Sequence, residues 1–198
     1  MTAANADRDT SSAHQHHPQP QQHVHAAFTT RFVGHELSED QRAAILHFAS
    51  IILRREPDKF AQPTASRLDF TEVAVFEREE DRRTQVRAVF HIDLGPDMLN
   101  PAGNMHGGCT MFLIDVCSSI ALVALGVATH KNARFVSQTL NTVFHAPAMG
   151  NARLRIVNDT VSFGARTVSA RTEIWDITNK RLVATGVHNQ MPPSPPKL

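Results

Sequence analysis

The chain contains 198 residues, and its 20 lysines and arginines against 19 aspartates and glutamates give a formal net charge of +1 at pH 7. This length fits one domain with a tail. Because a near-neutral surface provides no strong field for a polyanion, we expect neither nucleic acid nor an anionic membrane surface as a partner. Cys109 and Cys117 lie in one apolar segment and are predicted to be reduced, which favours a cytoplasmic location and leaves mitochondrial association open.

The N-terminal segment is rich in His, Gln, Pro, Ala and Ser. With almost no large apolar side chains to bury, residues 1–26 are predicted to be a disordered tail. Because the histidines of this segment are irregularly spaced and no cysteine or acidic partner accompanies them, we predict no metal site. These histidines are His14, His16, His17, His23 and His25. Residues 192–198 are predicted to form a Pro-rich C-terminal tail, which leaves 27–191 as the folded domain.

The first predicted elements are a helix and a hairpin. Ser38 to Gln41 has the form of a capping box, and the apolar residues after it recur at helical spacing. We therefore expect an amphipathic helix of about four turns. Two alternating stretches, 68–77 and 85–93, are then predicted to be strands, and the charged turn 79–83 between them indicates an antiparallel hairpin.

Residues 109–128 are apolar on nearly every face and contain one charge, Asp115. A helix of this kind is either wrapped by a sheet or spans a membrane. A carboxylate near its centre would be costly in lipid, and the sequence shows no basic flank or second apolar span. We therefore expect a helix wrapped by a sheet and no membrane span.

Strands are predicted to follow the apolar helix, with tight turns at Gly164-Ala165 and at 178–180 between the last three. The predicted strands cover 134–145, 152–163, 166–177 and 181–190. The expected fold class is α+β: an antiparallel sheet of about six strands, the last four in a meander, wrapped around one long apolar helix, with an additional N-terminal helix. The edges of such a sheet need covering, so pairing with a second copy predicts a homodimer.

Asp115 is the first candidate for chemistry. Its neighbours in the chain are large apolar residues, among which an ionised carboxylate would be costly without partners. A perturbed carboxylate can belong to a catalytic site, although buried acids are more often structural. The alternative is structural, because Asp115 could equally cap a neighbouring backbone group or pair with a buried cation.

His106-Gly107-Gly108 supplies a second candidate at the start of the same helix. Glycines let a ligand approach the backbone closely, and the free N–H groups of a helix N-terminus favour an oxyanion. The alternative is a Gly-rich helix start without a ligand. Asp115 lies two turns further along, too far for one helix to bring its carboxylate to its own Gly107 amide. Two antiparallel copies of the helix at a dimer interface would place Asp115 of one beside Gly107 of the other.

This pattern resembles the hotdog-fold acyl-CoA thioesterases of the phenylacetate-pathway or thioesterase superfamily member 2 type. The resemblance covers about residues 38–190. It rests on Asn100 to Gly108, then Asp115, then Val136-Ser137 with Asn141. It implies a helix wrapped by a sheet, paired protomers and commonly a dimer of dimers, with an acyl-CoA as the substrate.

The resemblance also implies roles for individual residues. Asp115 would act as general base or nucleophile, and the Gly107 amide would polarise the thioester carbonyl. Asn100 and His106 would help to position the carbonyl and the acid, and Ser137 would orient the attacking water. Taken singly, each has an ordinary alternative, with His106 as a helix cap, Asn100 as a turn residue and Ser137 as a strand hydroxyl.

Coenzyme A is implied as part of the substrate, so no separate cofactor and no metal are expected. In the resemblance its binding involves the strand after Ser137 and the turn at 164–167, where Arg166 could meet a phosphate or be an ordinary surface charge. The chain departs from its relatives at Met149 and at 188–190, where they often carry lysines. The residues predicted to bind the substrate or its coenzyme A are Gly108, Thr139, Phe144, Gly164, Ala165, Arg166 and Thr167.

The predicted function is hydrolysis of an acyl-CoA whose acyl group is a medium- or long-chain fatty acid lying along the apolar interface near the central helix. Two alternatives stay open. One is a hotdog protein that binds acyl-CoA as a sensor or assembly module without turning it over, with Asp115 serving a dimer contact. The other is a hotdog hydratase acting on enoyl thioesters.

Overall fold

The computed structural model describes residues 28–54 and 56–193. The predicted N-terminal tail with its histidines, and the last residues of the predicted C-terminal tail, lie outside the described residues, so the domain limits 27–191 stay a prediction. The helices are α1 (Glu39–Leu53), α2 (Gln62–Ala65), a short 3₁₀ helix (Pro96–Met98) and α3 (Gly107–Ala128). The strands are β1 (Arg31–Gly34), β2 (Asp69–Glu77), β3 (Thr84–Asp93), β4 (Val136–Phe144), β5 (Arg153–Phe163), β6 (Val168–Asp176) and β7 (Arg181–Met191).

Helix α1 begins at the predicted capping box. The Ser38 hydroxyl accepts the Gln41 N–H at 3.2 Å, and the Gln41 side-chain oxygen accepts the Ser38 N–H at 3.0 Å. One face of the helix buries Ile45, Ala49 and Leu53 in the core, at the helical spacing that the sequence shows. Both the capping box and the additional N-terminal helix are therefore confirmed.

The sheet has the strand order β1-β2-β3-β5-β6-β7-β4. All neighbouring strands pair antiparallel except β1, which runs parallel to β2. Each of the strands predicted from alternation is present, with ends that shift by no more than two residues. Sequence reasoning misses β1, which spans 4 residues and is too short to show a clear alternation.

The predicted four-strand meander is wrong in one pairing. Strands β5, β6 and β7 do follow one another as antiparallel neighbours, but β4 pairs with β7 at the edge of the sheet, and β5 pairs with β3. The physical reason lies in the connections. Tight turns at 164–167 and 177–180 close the last two hairpins, whereas β4 and β5 are joined by a longer irregular stretch that lets the chain cross to another part of the sheet.

Helix α3 packs between the sheet and α1, which explains why it is apolar on nearly every face. By length and composition alone it could cross a membrane, but 67% of its most apolar window is buried within the structure. Its contacts with β2 to β7 and with α1 are those of a core helix. The expected α+β architecture, a sheet wrapped around one long apolar helix, is confirmed.

The contact between α3 and β7 is closest at Gly186. A Cβ added there would lie 2.9 Å from both Cδ1 and Cγ2 of Ile114. Real Cβ atoms do not approach other carbons this closely, so the strand can lie against the helix only because residue 186 has no side chain.

We predict that Gly186→Ala lowers the free energy of unfolding by about 1–3 kcal/mol, because the added methyl group overpacks the space between helix and strand. Urea denaturation would measure the change. Gly107→Ala is the matched control, since a Cβ at Gly107 meets only the Phe144 ring at an ordinary 3.6 Å, and it should leave stability unchanged or slightly raised. Equal stability of the Gly186→Ala variant and the wild type would show that the helix can shift at no cost.

Candidate active site

Three side chains from three elements meet near the middle of α3 and form what we call the carboxylate centre: Asp115, Ser137 and His188. The Ser137 hydroxyl oxygen lies 3.2 Å from Asp115 Oδ1. His188 Nε2 lies 3.0 Å from the Ser137 oxygen and 3.5 Å from Asp115 Oδ1. The structure therefore brings together two of the residues singled out by sequence, Asp115 and Ser137, and adds His188.

A β-bulge in β4 turns Ser137 toward the carboxylate centre. Leu140 packs on the core and the Thr142 hydroxyl is buried, so strict alternation would make Gln138 the next inward residue. The pairing of β4 with β7 shifts register between Ser137 and Thr139, which leaves Gln138 as the extra residue. Ser137 takes the inward position instead, and its hydroxyl reaches the carboxylate.

His188 is the residue of the centre that sequence reasoning misses. It is buried on β7, and two residues later Gln190 is buried as well. A buried histidine and glutamine at alternate positions of one strand need polar partners inside the core. The sequence does hold this signal, because Asp115, Ser118 and Ser119 share one face of α3 at the spacing i, i+3 and i+4. Sequence reasoning mentions 188–190 only because positive charge is lacking there, and it assigns His188 no role in the site.

The hydrogen bonds around His188 favour a proton on the Nδ1 atom of its ring. The Ser118 hydroxyl donates to the Ile114 carbonyl at 2.6 Å, so its oxygen accepts from His188 Nδ1 at 2.7 Å. In the neutral ring the lone pair is then at Nε2, which faces the Ser137 hydroxyl. The single proton of Ser137 therefore has two acceptors, His188 Nε2 and Asp115 Oδ1.

Burial lowers the pKa of the His188 imidazole from its usual 6.5, and the nearby Asp115 carboxylate opposes this shift. The ring is therefore uncharged at pH 7. Asp115 consequently has a hydrogen-bonding neighbour in Ser137 and no positive charge from His188.

A cavity of about 470 Å³ opens beside the carboxylate centre. Apolar side chains of α1, α3 and the approach to β4 form most of its lining, together with the polar groups near Asp115. The lining residues used below are Phe48, Ile52, Asp115, Val116, Val123 and Phe135.

The Asp115 side chain is 46% exposed. Its sequence neighbours led us to expect a carboxylate surrounded by apolar groups, and for a single chain that expectation is wrong. Leu113 and Ile114 point to other sides of α3, where they pack in the core, whereas Asp115 faces the cavity. A position in a helix is defined by its neighbours three and four residues away rather than by the residues beside it in the chain.

His106 and Asn100, which precede α3, have the structural roles that sequence reasoning gives as alternatives to catalytic ones. His106 Nδ1 accepts the Gly108 N–H at 2.9 Å and so caps the helix. The Asn100 side-chain oxygen accepts two backbone N–H groups of its own turn at 3.0 and 3.2 Å. The Gly107 N–H, by contrast, has no acceptor within residues 28–54 and 56–193. It is a free donor of the kind that an oxyanion would need.

Within one chain this donor and the carboxylate centre are apart. Gly107 is the first residue of α3, and Asp115 lies two turns later, about 12 Å along the helix axis at 1.5 Å per residue. Because the rise per residue of an α-helix is fixed, one helix cannot bring these two groups together. The structure thus divides the site residues singled out by sequence into two groups, Asp115 with Ser137 in one and Asn100, His106 and Gly107 in the other.

Residues 102–183, which contain both Gly107 and Asp115, match the profile of the thioesterase superfamily. This segment is similar to the superfamily and makes up less than half of the chain. Mouse acyl-coenzyme A thioesterase 13 is 29% identical to it over 91 residues, which make up 46% of the chain and 62% of the mouse protein. The chain therefore matches less than two thirds of the length of this relative.

Solved structures of the superfamily share the fold. The crystal structure of zebrafish thioesterase superfamily member 2 superposes with a TM-score of 0.58 at 18% identity, covering 75% of this chain and 97% of the zebrafish chain. The mouse structure of the same name gives a TM-score of 0.57 at 17% identity, covering 78% and 98%. The hotdog fold that the sequence resemblance implies is thereby confirmed.

The residues predicted to bind coenzyme A lie in separate places in the structure. Phe144 stands beside Gly107, and the Thr139 hydroxyl accepts from the Asn189 amide at 2.9 Å on the exposed edge strand β4. The predicted turn between β5 and β6 is present, closed by the Gly164 N–H donating to the Thr167 carbonyl at 2.9 Å.

A cavity of about 360 Å³ reaches this turn, with Lys131, Phe135, Gly164 and Ala165 in its lining. Arg166 is exposed and does not belong to that lining, in which Lys131 is the cationic residue. Phe135 also borders the larger cavity at the carboxylate centre, and the two cavities therefore adjoin. In the part of the chain that the structure describes, no group of three or more His, Cys, Asp or Glu side chains could hold a metal ion.

We predict that stability falls between pH 7 and pH 5 and that His188→Gln reduces this fall. Because burial lowers the pKa of His188 from 6.5, the unfolded chain binds a proton at a higher pH than the folded chain does, and stability is lost as pH decreases through this range. Urea denaturation at the two pH values would measure it. Burial also lowers the pKa of His91, but that contribution is common to both proteins and cancels in the comparison.

His47→Gln, at an exposed position of α1, serves as the control and should keep the pH dependence of the wild type. If His188→Gln also kept it in full, the buried imidazole would not be held in its neutral form.

Proposed function

We propose that the chain is an acyl-CoA thioesterase that hydrolyses an acyl-CoA to a free acid and coenzyme A. The observation that carries this proposal is the carboxylate centre, in which Asp115 faces a largely apolar cavity with the Ser137 hydroxyl at 3.2 Å. Thioester hydrolysis needs an activated water and a stabilised oxyanion, and little help for the thiolate leaving group. The chain offers a base for the first requirement and the free Gly107 N–H for the second.

In the proposed reaction Asp115 is the general base. A water bound between Asp115 and Ser137 passes a proton to the carboxylate as its oxygen bonds to the carbonyl carbon. The tetrahedral intermediate collapses by breaking the C–S bond, and the leaving thiolate takes up a proton from Asp115 or from solvent. His188 is a positioning residue, because it touches Ser137 and holds the hydroxyl that orients the water.

The oxyanion of the intermediate would be stabilised by the Gly107 N–H of a second copy of the chain. One such donor contributes roughly 3–4 kcal/mol to catalysis. Edge strand β4 supports this arrangement, because both of its faces are largely exposed and it carries Val143 and Phe144 at 58% and 56% exposure. A twofold axis beside β4 would set the two α3 helices antiparallel, with the carboxylate centre of one opposite the helix start of the other.

The proposed substrate carries a medium- or long-chain fatty acyl group, and coenzyme A enters only as part of that substrate. Its phosphates would meet Lys131 and Arg166 near the β5–β6 turn, where the smaller cavity lies. Two dimers would then pair as a dimer of dimers. No metal or additional cofactor takes part in the reaction as proposed.

We expect Asp115→Asn to lower kcat for coenzyme A release by about two to four powers of ten, because the amide cannot accept the proton of the attacking water. A thiol-trapping assay across aromatic acyl-CoA substrates and saturated ones from acetyl to stearoyl would measure it. Asp93→Asn is a control, since this carboxylate is 69% exposed on β3 and lies outside the carboxylate centre.

The outcomes separate three functions. Full activity of Asp115→Asn would contradict the proposed role of the carboxylate. Binding of acyl-CoA without release of thiol, equal in the variant and the wild type, would favour a sensor or assembly module. Addition of water to an enoyl-CoA without thiol release would favour a hydratase.

Val143→Asp is expected to convert the proposed dimer to a monomer and to abolish activity with it, since the carboxylates would repel one another near the twofold axis. Sedimentation velocity at several protein concentrations would give the oligomeric state. Ile177→Asp is the control, because Ile177 lies in the β6–β7 turn and is 41% exposed. This substitution should change neither the oligomeric state nor the activity. A monomeric variant with wild-type turnover would rule out a site shared between chains.

A further inference from the structure

The cavity beside the carboxylate centre has one wall that the superfamily match does not cover. Phe48 and Ile52, one turn apart on α1, take part in its lining, together with Val116 and Val123 of α3. Helix α1 lies outside residues 102–183, the part of the chain that matches the superfamily.

We propose that this cavity holds the acyl chain of the substrate and that Phe48 and Ile52 set the acyl length it accepts; the inference rests on the thioesterase function proposed above. The polar lining residues Ser119 and Gln190 already hydrogen-bond to protein groups. The side chains of Phe48, Ile52, Val116 and Val123 supply no donors or acceptors. An acyl chain needs none, whereas the amide groups of the pantetheine arm would lose hydrogen bonds to water there.

Helix α1 is anchored to the rest of the protein, so its side chains can form a fixed wall of the cavity. Ile45, Ala49 and Leu53 anchor the helix in the core, and the Gln41 amide donates to the Val127 carbonyl of α3 at 3.1 Å. Phe48 and Ile52 stand beside this anchored face and are only partly buried. Their remaining apolar surface is what an acyl chain would cover.

The size of the cavity fits an acyl chain of medium to long length. A volume of about 470 Å³ has room for at most ~15 methylene groups, if each takes roughly the 30 Å³ of a liquid water molecule. A smaller side chain at position 48 would enlarge this space, and a larger one at position 52 would reduce it.

The test is the dependence of kcat/KM on acyl length. Phe48→Ala should raise the ratio of palmitoyl-CoA to octanoyl-CoA hydrolysis by about tenfold or more, the scale on which hydrophobic pockets discriminate chain length. Ile52→Phe should lower the same ratio by a similar factor. Ile51→Ala is the matched control on the same helix, because Ile51 is 53% exposed and does not line the cavity. Thermal melting would show that all variants fold.

Failure of this inference can be told apart from failure of the proposed function. If the wild type hydrolyses acyl-CoA but both variants keep its length profile, the acyl assignment is overturned while the thioesterase stands. A profile shift equal in Ile51→Ala would overturn it as well. If the wild type hydrolyses nothing, calorimetric binding of non-hydrolysable thioether analogues of the same lengths decides the matter. A length-dependent change in Kd in Phe48→Ala supports the cavity as an acyl site, and an unchanged Kd overturns it.

Discussion

The carboxylate centre depends on the close packing of α3 against β7. Gly186 lets the strand lie against Ile114, and this distance allows His188 on β7 to bond Ser118 on α3 at 2.7 Å. A ring held in this way can support the Ser137 hydroxyl beside Asp115. If helix and strand moved apart, buried polar groups on both would lose partners at once, each at a cost of about 1–3 kcal/mol. The same contact therefore maintains the fold and aligns the groups of the candidate site.

Much of the fold could be predicted because it follows from local patterns. Three such patterns can each be recognised within a single segment of the chain: the capping box at Ser38, the alternation of the later strands and the apolar run of α3. The position of β4 could not be predicted, because pairing across the sheet depends on connections whose path no local pattern records. For the site, sequence spacing singled out Asp115 and Ser137, but the bulge at Gln138 that turns Ser137 inward is a property of the pairing with β7.

The rigidity of one helix gives the strongest reason to expect a second chain in the proposed enzyme. Gly107 has the free N–H and Asp115 has the carboxylate, and α3 keeps them about 12 Å apart along its axis. Side-chain rotation cannot close that gap, so a site that uses both must take one group from another copy. Under the proposed function, association is then a condition for catalysis rather than a source of added stability, and edge strand β4 is the surface on which both would depend.

The limits of the superfamily match suggest how chemistry and specificity are divided. Residues 102–183 include the helix start, Asp115 and Ser137, but neither His188 nor α1. The matched segment thus contains the groups proposed to touch the reacting atoms, and the flanking segments contain the ring that positions Ser137 and the wall that borders the cavity. Helix α1 is anchored in the core through Ile45, Ala49 and Leu53, and Phe48 and Ile52 of its cavity face are only partly buried. A change in acyl length could then arise there while the hydrolytic groups stay the same.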